Sequence, residues 1–302
     1  MISMSDLRNL LGPMRLRFII LTPVCVLLGL ATAVWTSGRV DTFHSVLALI
    51  GAVSAHTSVN VLNEYFDFKS GLDSMTRRTP FSGGSGTLPA NPKLARQAFS
   101  TGLITFLITI LIGAYFLSLR GLSLLPIGVL GLLIIISYTT WISRHPILCL
   151  IAPGIGFGLL MVMGTNFVLT GGYTWTAFIA SLIPFFLVSD LLLLNQFPDV
   201  EADQTVGRRH LPIVLGRRAS SIIYGVFLLA AYLTIIFGVW FEYLPKASLL
   251  GLGSVLISAP AFWGAFLHAE NVSKLIPFMG LNVIINIMTP VLVAIGLLLG
   301  ES

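Results

Sequence analysis

Charged residues are scarce in this sequence. Of its 302 residues only 10% are charged, 17 of them basic and 12 acidic, while 56% are hydrophobic and the mean hydropathy is +0.94. A soluble domain carries about a quarter charged residues, and 29 charges cannot cover the surface of so long a chain. This scarcity excludes a soluble globular protein.

Cysteine is almost absent too, and two further patterns are missing. Cys25 and Cys149 each lie in an apolar run, so there is no disulfide framework and no CxxC metal site. The short alternating segments of an outer-membrane barrel do not occur. Residues 1–17 are not followed by a short apolar segment with a cleavage pattern, so we expect no cleaved signal peptide.

Long apolar runs, in contrast, fill the chain. Runs of about 18 residues or more cross a hydrocarbon core about 30 Å thick as helices. We predict an all-α, polytopic membrane protein, a single integral-membrane domain over residues 1–302 with two cytoplasmic aspartate-rich loops. Cutting the runs at charges, glycines and prolines gives a bundle of nine transmembrane helices, at about residues 17–36, 42–66, 99–119, 121–141, 147–170, 175–198, 219–240, 247–267 and 275–299.

The basic residues are divided unevenly between the two ends of the predicted bundle. Fourteen of the 17 fall on the side of the N-terminus, and three fall on the other side, Arg39, Arg120 and Lys246. Because Lys and Arg accumulate in cytoplasmic loops, the N-terminus and the long loops 67–98 and 199–218 are predicted to be cytoplasmic, in an inner or cell membrane. The net charge of +5 then reports orientation, and we expect no nucleic-acid partner.

The second predicted span carries a polar stripe that runs to the membrane surface. Four of its polar residues fall within about 60° of one another at the helical period, and an acid follows them. In order these are His56, Asn60, Asn63, Asp67 and Asp73. Polar groups on one face of a lipid-embedded helix line a cavity or meet partners, because hydrocarbon leaves them unsatisfied.

The sixth predicted span ends in a second pattern of this kind. If the helix continues through Pro198, then Asn195, Asp199 and Asp203 form a ladder at i, i+4 and i+8. Carboxylate and amide oxygens suit Mg²⁺, which prefers sites completed by phosphate oxygens, and residues 80–86 are a glycine-rich stretch able to form an anion nest. The sequence therefore predicts a metal-bridged diphosphate site. Cations beside the two motifs would contact the phosphates, namely Lys69, Arg77, Arg78, Arg208 and Arg209.

These motifs resemble those of the UbiA superfamily of intramembrane prenyltransferases. The resemblance rests on Asn63-x3-Asp67-x5-Asp73 and Asn195-x3-Asp199-x3-Asp203, each closing an even-numbered helix. It implies a helical bundle with a lateral opening for lipid substrates, and Mg²⁺-dependent transfer of an isoprenyl group from a prenyl diphosphate to a hydrophobic or aromatic acceptor. Residues 65–73 and 163–167 are similar to the menaquinone-type branch, which implies dihydroxynaphthoate as the acceptor.

The resemblance also implies roles for individual residues. Those implied to be catalytic are Asp67, Asp199, Asn63 and Asn195. Those implied to hold Mg²⁺ are Asp67, Asp73, Asp199 and Asp203, with Lys69, Arg77, Arg78, Arg208 and Arg209 on the diphosphate. The sequence departs from the family pattern at Glu64, where many relatives have Asp, at Pro198, where they commonly have Arg, and at His210, which replaces Thr.

Six residues are candidates for the acceptor site, and most have a structural alternative. They are His56, Asn60, Tyr138, Arg144, Asn166 and Asp190. His56 also fits a hydrogen-bonded core histidine, and Tyr138 and Arg144 also fit interfacial anchors. Asp190 lies mid-span about 180° from Asp199, so we expect either a structural hydrogen bond, with Asn282 or Asn286, or a role in orienting the acceptor.

The glycines of the fifth predicted span have two interpretations. Gly154, Gly156 and Gly158 either allow close helix packing or leave room for a prenyl tail.

Three other functions compete with aromatic prenyl transfer. A transporter would place its ligands near the bilayer midplane at broken helices, whereas these carboxylates cluster at helix ends. A membrane terpene cyclase would use the same diphosphate chemistry without an acceptor. Prenyl transfer to a non-aromatic lipid would differ only in the acceptor.

Overall fold

The computed structural model describes residues 12–300, which form helices and no β-strand. Eight of these helices are long and apolar enough to cross a membrane, and one further apolar helix, Leu122–Ser137, is shorter. In chain order they are α1 (Leu16–Ser37), α2 (Thr42–Lys69), α3 (Pro92–Arg120), α4 (Leu122–Ser137), α5 (Pro146–Thr170), α6 (Trp175–Asn195), α7 (Arg217–Trp240), α8 (Lys246–Leu267) and α9 (Val272–Leu299). The expectation about a signal peptide falls largely on residues 1–11, which lie outside the described residues.

The connections contain short helices, and several long helices are not regular throughout. The short helices are Leu72–Met75, Thr87–Ala90, Ile142–Arg144, Val200–Thr205 and Leu211–Val214. The first turns of α3 and α4 are 3₁₀, as is Lys246–Ser254 at the start of α8. In α5 the α-helix Pro146–Gly154 continues as a π-helix over Ile155–Met163, and such segments are frequent at functional sites.

The main hydrophobic core lies on one side of the molecule, around α6. Its buried side chains come from α1, α5, α6, α7, α8 and α9. Helices α2, α3 and α4 lie outside this core and enclose a cavity against it. We call the end of the bundle at which α2 and α6 finish, at Lys69 and Asn195, the site end.

The fourth predicted span corresponds to α4, which is about 24 Å long at 1.5 Å per residue, shorter than a hydrocarbon core. Its start lies at the end opposite the site, where the Ser123 carbonyl accepts a hydrogen bond from the Tyr173 hydroxyl (2.7 Å). Just beyond its finish, the Thr139 hydroxyl donates to Asn63 Oδ1 at the site end (3.0 Å). Helix α4 and the turn after it therefore connect both ends of the bundle.

The ladder of the second motif was predicted on the condition that the helix continues through Pro198, and the structure does not meet this condition. Helix α6 ends at Asn195, and a separate short helix begins at Val200. Proline has no N–H to donate, and its ring clashes with the carbonyl four residues earlier. The chain therefore turns before Pro198, and the Asp203 N–H donates to the Asp199 carbonyl within the new turn (2.8 Å).

Candidate active site

The site lies at the mouth of a cavity of about 560 Å³ that extends from the acidic motifs into the apolar interior. Helix α2 begins where the Asp41 carboxylate accepts from the His44 N–H (2.7 Å), an N-cap, and it continues without interruption to Lys69. Its polar stripe faces the cavity, as the helical period predicts. The lining residues of the stripe are His56, Asn60, Asn63 and Asp67.

Arg208 joins the two acidic motifs. One guanidinium nitrogen, Nη2, is hydrogen-bonded to Asp67 Oδ1, and the other, Nη1, donates to Asp203 Oδ1 (2.9 Å). His210 Nε2 lies 2.7 Å from the other Asp203 oxygen, and Asn63 Nδ2 donates to Asp67 Oδ2 (2.9 Å). The ends of α2 and α6, which are distant in the sequence, therefore meet through a nearly buried set of charges.

The glycine-rich loop closes over these carboxylates. The Gly83 N–H donates to Asp199 Oδ2 (3.2 Å), while Gly84 lies directly against Asp73. Both glycines have positive φ angles, +83° and +71°, and a Cβ on Gly84 would lie 2.7 Å from Asp73 Oδ1. The loop therefore requires glycine here, both for its backbone conformation and for its approach to a carboxylate.

Glu64, one of the departures from the family pattern, anchors this loop. Its carboxylate is fully buried, and it accepts hydrogen bonds from the N–H and hydroxyl of Ser85 (2.9 Å for the N–H). Arg15, which precedes α1, donates to the same carboxylate through Nε and Nη2 (3.3 Å each). Arg15 also lines the cavity, so the start of α1 forms part of the site.

Two carboxyl groups outside the membrane helices have pKa values that their surroundings raise. Burial raises the pKa of Asp73 to about 7, and the negative charges of Glu64 and Asp67 raise it further. Burial and the nearby Asp203 raise the pKa of Asp199 to about 7, and the Gly83 N–H partly opposes this shift. Both groups therefore change charge near neutral pH.

The residues present fit a divalent cation completed by a ligand's oxygens. Three buried oxygens that line the cavity mouth have no hydrogen-bond partner among the described residues: Asp73 Oδ2, Asp199 Oδ1 and Asn195 Oδ1. Within residues 12–300 no three carboxylate, histidine or cysteine groups lie close enough to hold one ion by themselves. Mg²⁺ usually takes only one or two carboxylates and fills its remaining positions with water and phosphate. Unpaired oxygens without a complete cluster of protein ligands are therefore compatible with a Mg²⁺ site that a phosphate completes.

Most of the predicted diphosphate ligands lie outside the cavity. Arg208 lines it, together with Arg15, which the sequence analysis did not select. Four others are exposed and do not line it: Lys69, Arg77, Arg78 and Arg209. The Arg78 guanidinium packs against Gly86 and donates to the Asp73 carbonyl (3.4 Å), and Lys69 lies over the Tyr65 ring.

The acceptor candidates divide into two groups. His56, Asn60 and Tyr138 line the cavity. His56 is also a buried core residue, because its Nδ1 is hydrogen-bonded to the Thr22 hydroxyl (2.7 Å). Asn60 Nδ2 donates to the Met14 carbonyl (3.1 Å).

The remaining three candidates do not line the cavity. Arg144 is exposed, and Asn166 is buried between helices, where it donates to the Thr32 hydroxyl (3.1 Å). Asp190 is buried, and its backbone carbonyl accepts from Asn282 Nδ2 (3.5 Å), whereas its carboxylate has no partner among residues 12–300. The hydrogen bond expected between the Asp190 carboxylate and Asn282 or Asn286 is therefore not formed, and only the backbone carbonyl of Asp190 contacts Asn282.

The three α5 glycines differ in what surrounds them. A Cβ on Gly154 would lie 2.2 Å from the Phe185 carbonyl oxygen, and one on Gly158 would lie 2.5 Å from the Ser181 carbonyl oxygen. These two glycines allow α5 to pack closely on α6. A Cβ on Gly156 would meet nothing within 4 Å, and Gly156 lines the cavity.

Comparison with known proteins identifies the family. The model of the UbiA prenyltransferase family matches residues 22–299. The chain belongs to this family. It is therefore a multi-pass integral membrane protein and a prenyltransferase.

Individual relatives of this UbiA-family chain differ in their names. It is 27% identical over 216 residues to the 1,4-dihydroxy-2-naphthoate octaprenyltransferase of Bacillus subtilis, covering 70% of this chain and 68% of that protein. It is 27% identical over 245 residues to the digeranylgeranylglyceryl phosphate synthase of Methanothermobacter thermautotrophicus, covering 78% and 76%. A UbiA homologue from Archaeoglobus fulgidus, solved bound to DMAPP and Mg²⁺, shares the fold at a TM-score of 0.62 with 14% identity, over 95% of this chain and 99% of that one.

Sequence reasoning missed several residues of the UbiA-type site. Arg15 was counted only among the basic residues on the inner side, and Thr139 was not considered at all. Cys149 and Gln196 line the cavity and are hydrogen-bonded to each other (3.3 Å). A weak signal existed for Gln196, which directly follows Asn195, but no local pattern marked the other three.

Proposed function

We propose that this UbiA-family chain transfers an isoprenyl group from a prenyl diphosphate to an aromatic acceptor of the dihydroxynaphthoate type, with Mg²⁺ as its cofactor. One observation carries the proposal: two acidic helix ends, bridged by Arg208, form the mouth of a single apolar cavity. A charged mouth and an apolar interior match the two parts of an isoprenyl diphosphate.

The charged mouth is assigned to the diphosphate. Asp67, Asp73, Asp199 and Asp203 would hold Mg²⁺, with Asn63 and Asn195 as amide partners. The metal, when bound, supplies positive charge that neutralises the diphosphate. Arg208 and Arg15 line the same mouth and stabilise the charge that develops on the departing pyrophosphate. The exposed cations Lys69, Arg77, Arg78 and Arg209 attract the anionic donor to the mouth.

The apolar interior is assigned to the isoprenyl chain. When the allylic C–O bond breaks, the electron pair leaves with pyrophosphate and a ring carbon of the acceptor attacks the resulting cation. The acceptor then loses a proton or, if it is a carboxylic acid such as dihydroxynaphthoate, CO₂. The glycine-rich loop, which is hydrogen-bonded to Glu64 and Asp199, lies at the mouth of the cavity, where the C–O bond breaks. There it keeps water from capturing the cation.

The acceptor is assigned to the wall of the cavity near the mouth, where His56, Asn60 and Tyr138 lie. The naphthoate enzyme of B. subtilis supports an aromatic acceptor. The glyceryl phosphate synthase relative, at the same identity, supports a lipid acceptor as the second candidate.

We further propose a topology in which all nine helices of one domain, residues 1–302, cross a cell membrane. The contacts of α4 at both ends of the bundle support nine crossings. The basic residues then place the site end and the N-terminus in the cytoplasm.

Purified protein supplied with Mg²⁺, geranyl diphosphate and either dihydroxynaphthoate or a glyceryl-phosphate lipid tests the activity. We expect prenylated naphthoate that disappears when EDTA is added. If a product forms only with the lipid, the acceptor is a lipid and not an aromatic compound. Cyclic products formed without any acceptor would indicate a cyclase. Uptake of a substrate without any product would contradict the proposal.

A further inference from the structure

A second group of buried polar residues lies on the far side of α6 from the cavity. The α6 residues that line the cavity point, on average, about 170° away from Asp190 at the helical period. They are Leu191, Leu192, Asn195 and Gln196. Asp190 therefore faces away from the cavity, into the core that α6 forms with its other neighbours.

Four oxygen atoms in this part of the core have no hydrogen-bond partner among residues 12–300. They are both carboxylate oxygens of Asp190 on α6, the hydroxyl of Tyr224 on α7 and Oδ1 of Asn286 on α9. All three residues are at most 2% exposed. Asn282 connects two of them, because its Nδ2 donates to the Asp190 carbonyl (3.5 Å) and its carbonyl accepts from Asn286 Nδ2 (3.0 Å). The Asp190 charge also acts on the Tyr224 hydroxyl, so the three side chains are neighbours.

Pro290 frees a further oxygen of Asn286. It lies within α9 and has no N–H to donate to the Asn286 carbonyl, four residues earlier. The Asn286 amide nitrogen is turned toward Asn282, which leaves the amide oxygen free as well. Backbone carbonyls freed where a membrane helix is interrupted coordinate Na⁺ in transporters. Asn286 therefore offers two oxygens of the kind that bind an alkali cation.

The Asp190 carboxylate has no positive charge to balance it among residues 12–300. The other charged residues of α6, α7 and α9 all lie in first helical turns, namely Arg217, Arg218 and Lys274. Arg217 is paired with Glu201 (2.7 Å), and the other two are exposed. A buried charge is normally paired or coordinates a metal ion. One monovalent cation would neutralise one carboxylate, whereas a divalent ion would leave an unbalanced positive charge in the core.

A neighbouring polar cluster shows the contrasting arrangement. The Tyr232 hydroxyl is hydrogen-bonded to Ser254 Oγ (3.0 Å) and to Ser258 Oγ, and Ser254 Oγ lies 2.6 Å from the Thr289 hydroxyl. These hydroxyls contact one another directly, whereas the four free oxygens do not. Oxygens that surround a cation contact the ion instead of one another.

We propose that Asp190, Tyr224 and Asn286 bind a monovalent alkali cation such as Na⁺ between α6, α7 and α9. This site is separate from the one at the mouth of the cavity, since α6 lies between them. The ion would join three helices of the main core, and α6 also carries Asn195 of the mouth. The inference does not depend on prenyl transfer.

Thermal unfolding tests the proposal. Purified protein in EDTA at neutral pH is melted in NaCl, KCl or N-methyl-D-glucamine chloride at equal ionic strength. An ion that binds only the folded state stabilises it, so we expect a melting temperature about 3 °C or more higher in one of the alkali salts. Asp190→Asn, which keeps the shape and removes the charge, should abolish the difference. Tyr224→Phe, which removes one oxygen, should raise the apparent Kd of the ion at least about threefold.

Two controls match these variants. Thr289→Val removes a buried hydroxyl of the neighbouring cluster, and Asp199→Asn removes a carboxylate at the cavity mouth. Both should keep the wild-type dependence on the cation. Sodium NMR gives a direct measurement: the Na⁺ resonance should broaden with wild-type protein and with Thr289→Val, but not with Asp190→Asn.

Three results would overturn the inference. Equal melting temperatures in all three salts would mean that water or a proton satisfies Asp190. A dependence that survives in Asp190→Asn but disappears in Asp199→Asn would place the ion at the cavity mouth. If Asp190→Asn does not fold, Tyr224→Phe decides, and an unchanged Kd for the ion in that variant would contradict the site.

Discussion

Arg208 is the residue on which the geometry of the site depends most directly. It contacts one carboxylate from each motif, Asp67 and Asp203, in a nearly buried environment. Arginine suits this position because its planar guanidinium presents separate N–H groups to two acceptors, whereas lysine is a single point charge. Burial lowers the pKa of Arg208, but these two negative charges outweigh the effect of burial and raise the pKa above its ordinary value. Arg208 therefore stays charged at every accessible pH.

Replacing Arg208 should therefore damage catalysis more than replacing its neighbour. We expect Arg208→Gln to lower kcat about 100-fold, because it removes a donor aimed at developing negative charge, with Arg208→Lys intermediate. Arg209→Gln, which changes an exposed side chain outside the cavity, is the control and should retain most of the activity. Equal losses in the two glutamine variants would show that only the net charge of the loop matters.

Asp73 and Asp199 make the stability of the metal-free protein depend on pH. Their pKa values are raised to about 7 from the ordinary value of 3.8, so the folded state binds protons that the unfolded state has released. Stability from these groups is fully present below the unfolded pKa and is lost as pH rises through about 7. We expect the melting temperature in EDTA to fall between about pH 5 and pH 9, and added Mg²⁺ to raise it most at high pH.

The same titration in variants identifies the groups responsible. Asp73→Asn and Asp199→Asn should flatten the pH dependence of the melting temperature. Glu201→Gln is the control, since Glu201 is exposed and already paired with Arg217 (2.7 Å), and it should leave the slope unchanged. A slope that survives in the Asp73→Asn, Asp199→Asn double variant would contradict the assignment.

At the scale of elements, the glycine-rich loop depends on a single carboxylate of α2. Glu64 accepts hydrogen bonds from Ser85 and Arg15, and the loop in turn reaches Asp199 through Gly83. Hydrogen bonds to a charged group contribute about 1.5–3 kcal/mol each. Loss of Glu64 should therefore make the glycine-rich loop more mobile without unfolding the bundle.

Hydrogen exchange measures this loosening directly. In Glu64→Ala we expect faster exchange at the amides of Gly83 and Ser85 and a lower kcat, with exchange in α6 unchanged. Glu270→Ala removes an exposed carboxylate and should change neither quantity. If the loop amides exchange at the wild-type rate in Glu64→Ala, then Glu64 does not hold the loop.

The contrast between α2 and the loop shows how far the sequence alone could predict this site. The polar face of α2 follows from the helical period, a local property, and its stripe lines the cavity as expected. The contact between Gly83 and Asp199 joins residues 116 apart, and that between Arg15 and Glu64 joins residues 49 apart. Such contacts depend on how helices pack, which periodicity does not encode. The end of α6, in contrast, has a local signal in Pro198, because proline lacks the N–H that a continuing helix needs.

At the scale of the whole molecule, α4 decides the topology. If α4 crosses the membrane, the connection before it and the connection after it face opposite sides, and the N-terminus and C-terminus do as well. If it dips in and returns, only eight crossings remain. Its contacts with Tyr173 at one end and, through Thr139, with Asn63 at the other support a crossing.

Cysteine labelling on either side of α4 distinguishes these topologies. The two native cysteines are buried and can be replaced by alanine to give a silent background. In that background we expect Leu122→Cys, at a position 74% exposed, and Arg144→Cys to react with a membrane-impermeant maleimide from opposite faces of sealed vesicles. Arg77→Cys, at the site end, should be labelled from the same face as Arg144→Cys and serves as the orientation control. Labelling of Leu122→Cys and Arg144→Cys from the same face would make α4 re-entrant. The end of α3 and the start of α5 would then lie on one side of the membrane, and every connection after α4 would change sides. The count of basic residues that places the site in the cytoplasm would have to be redone.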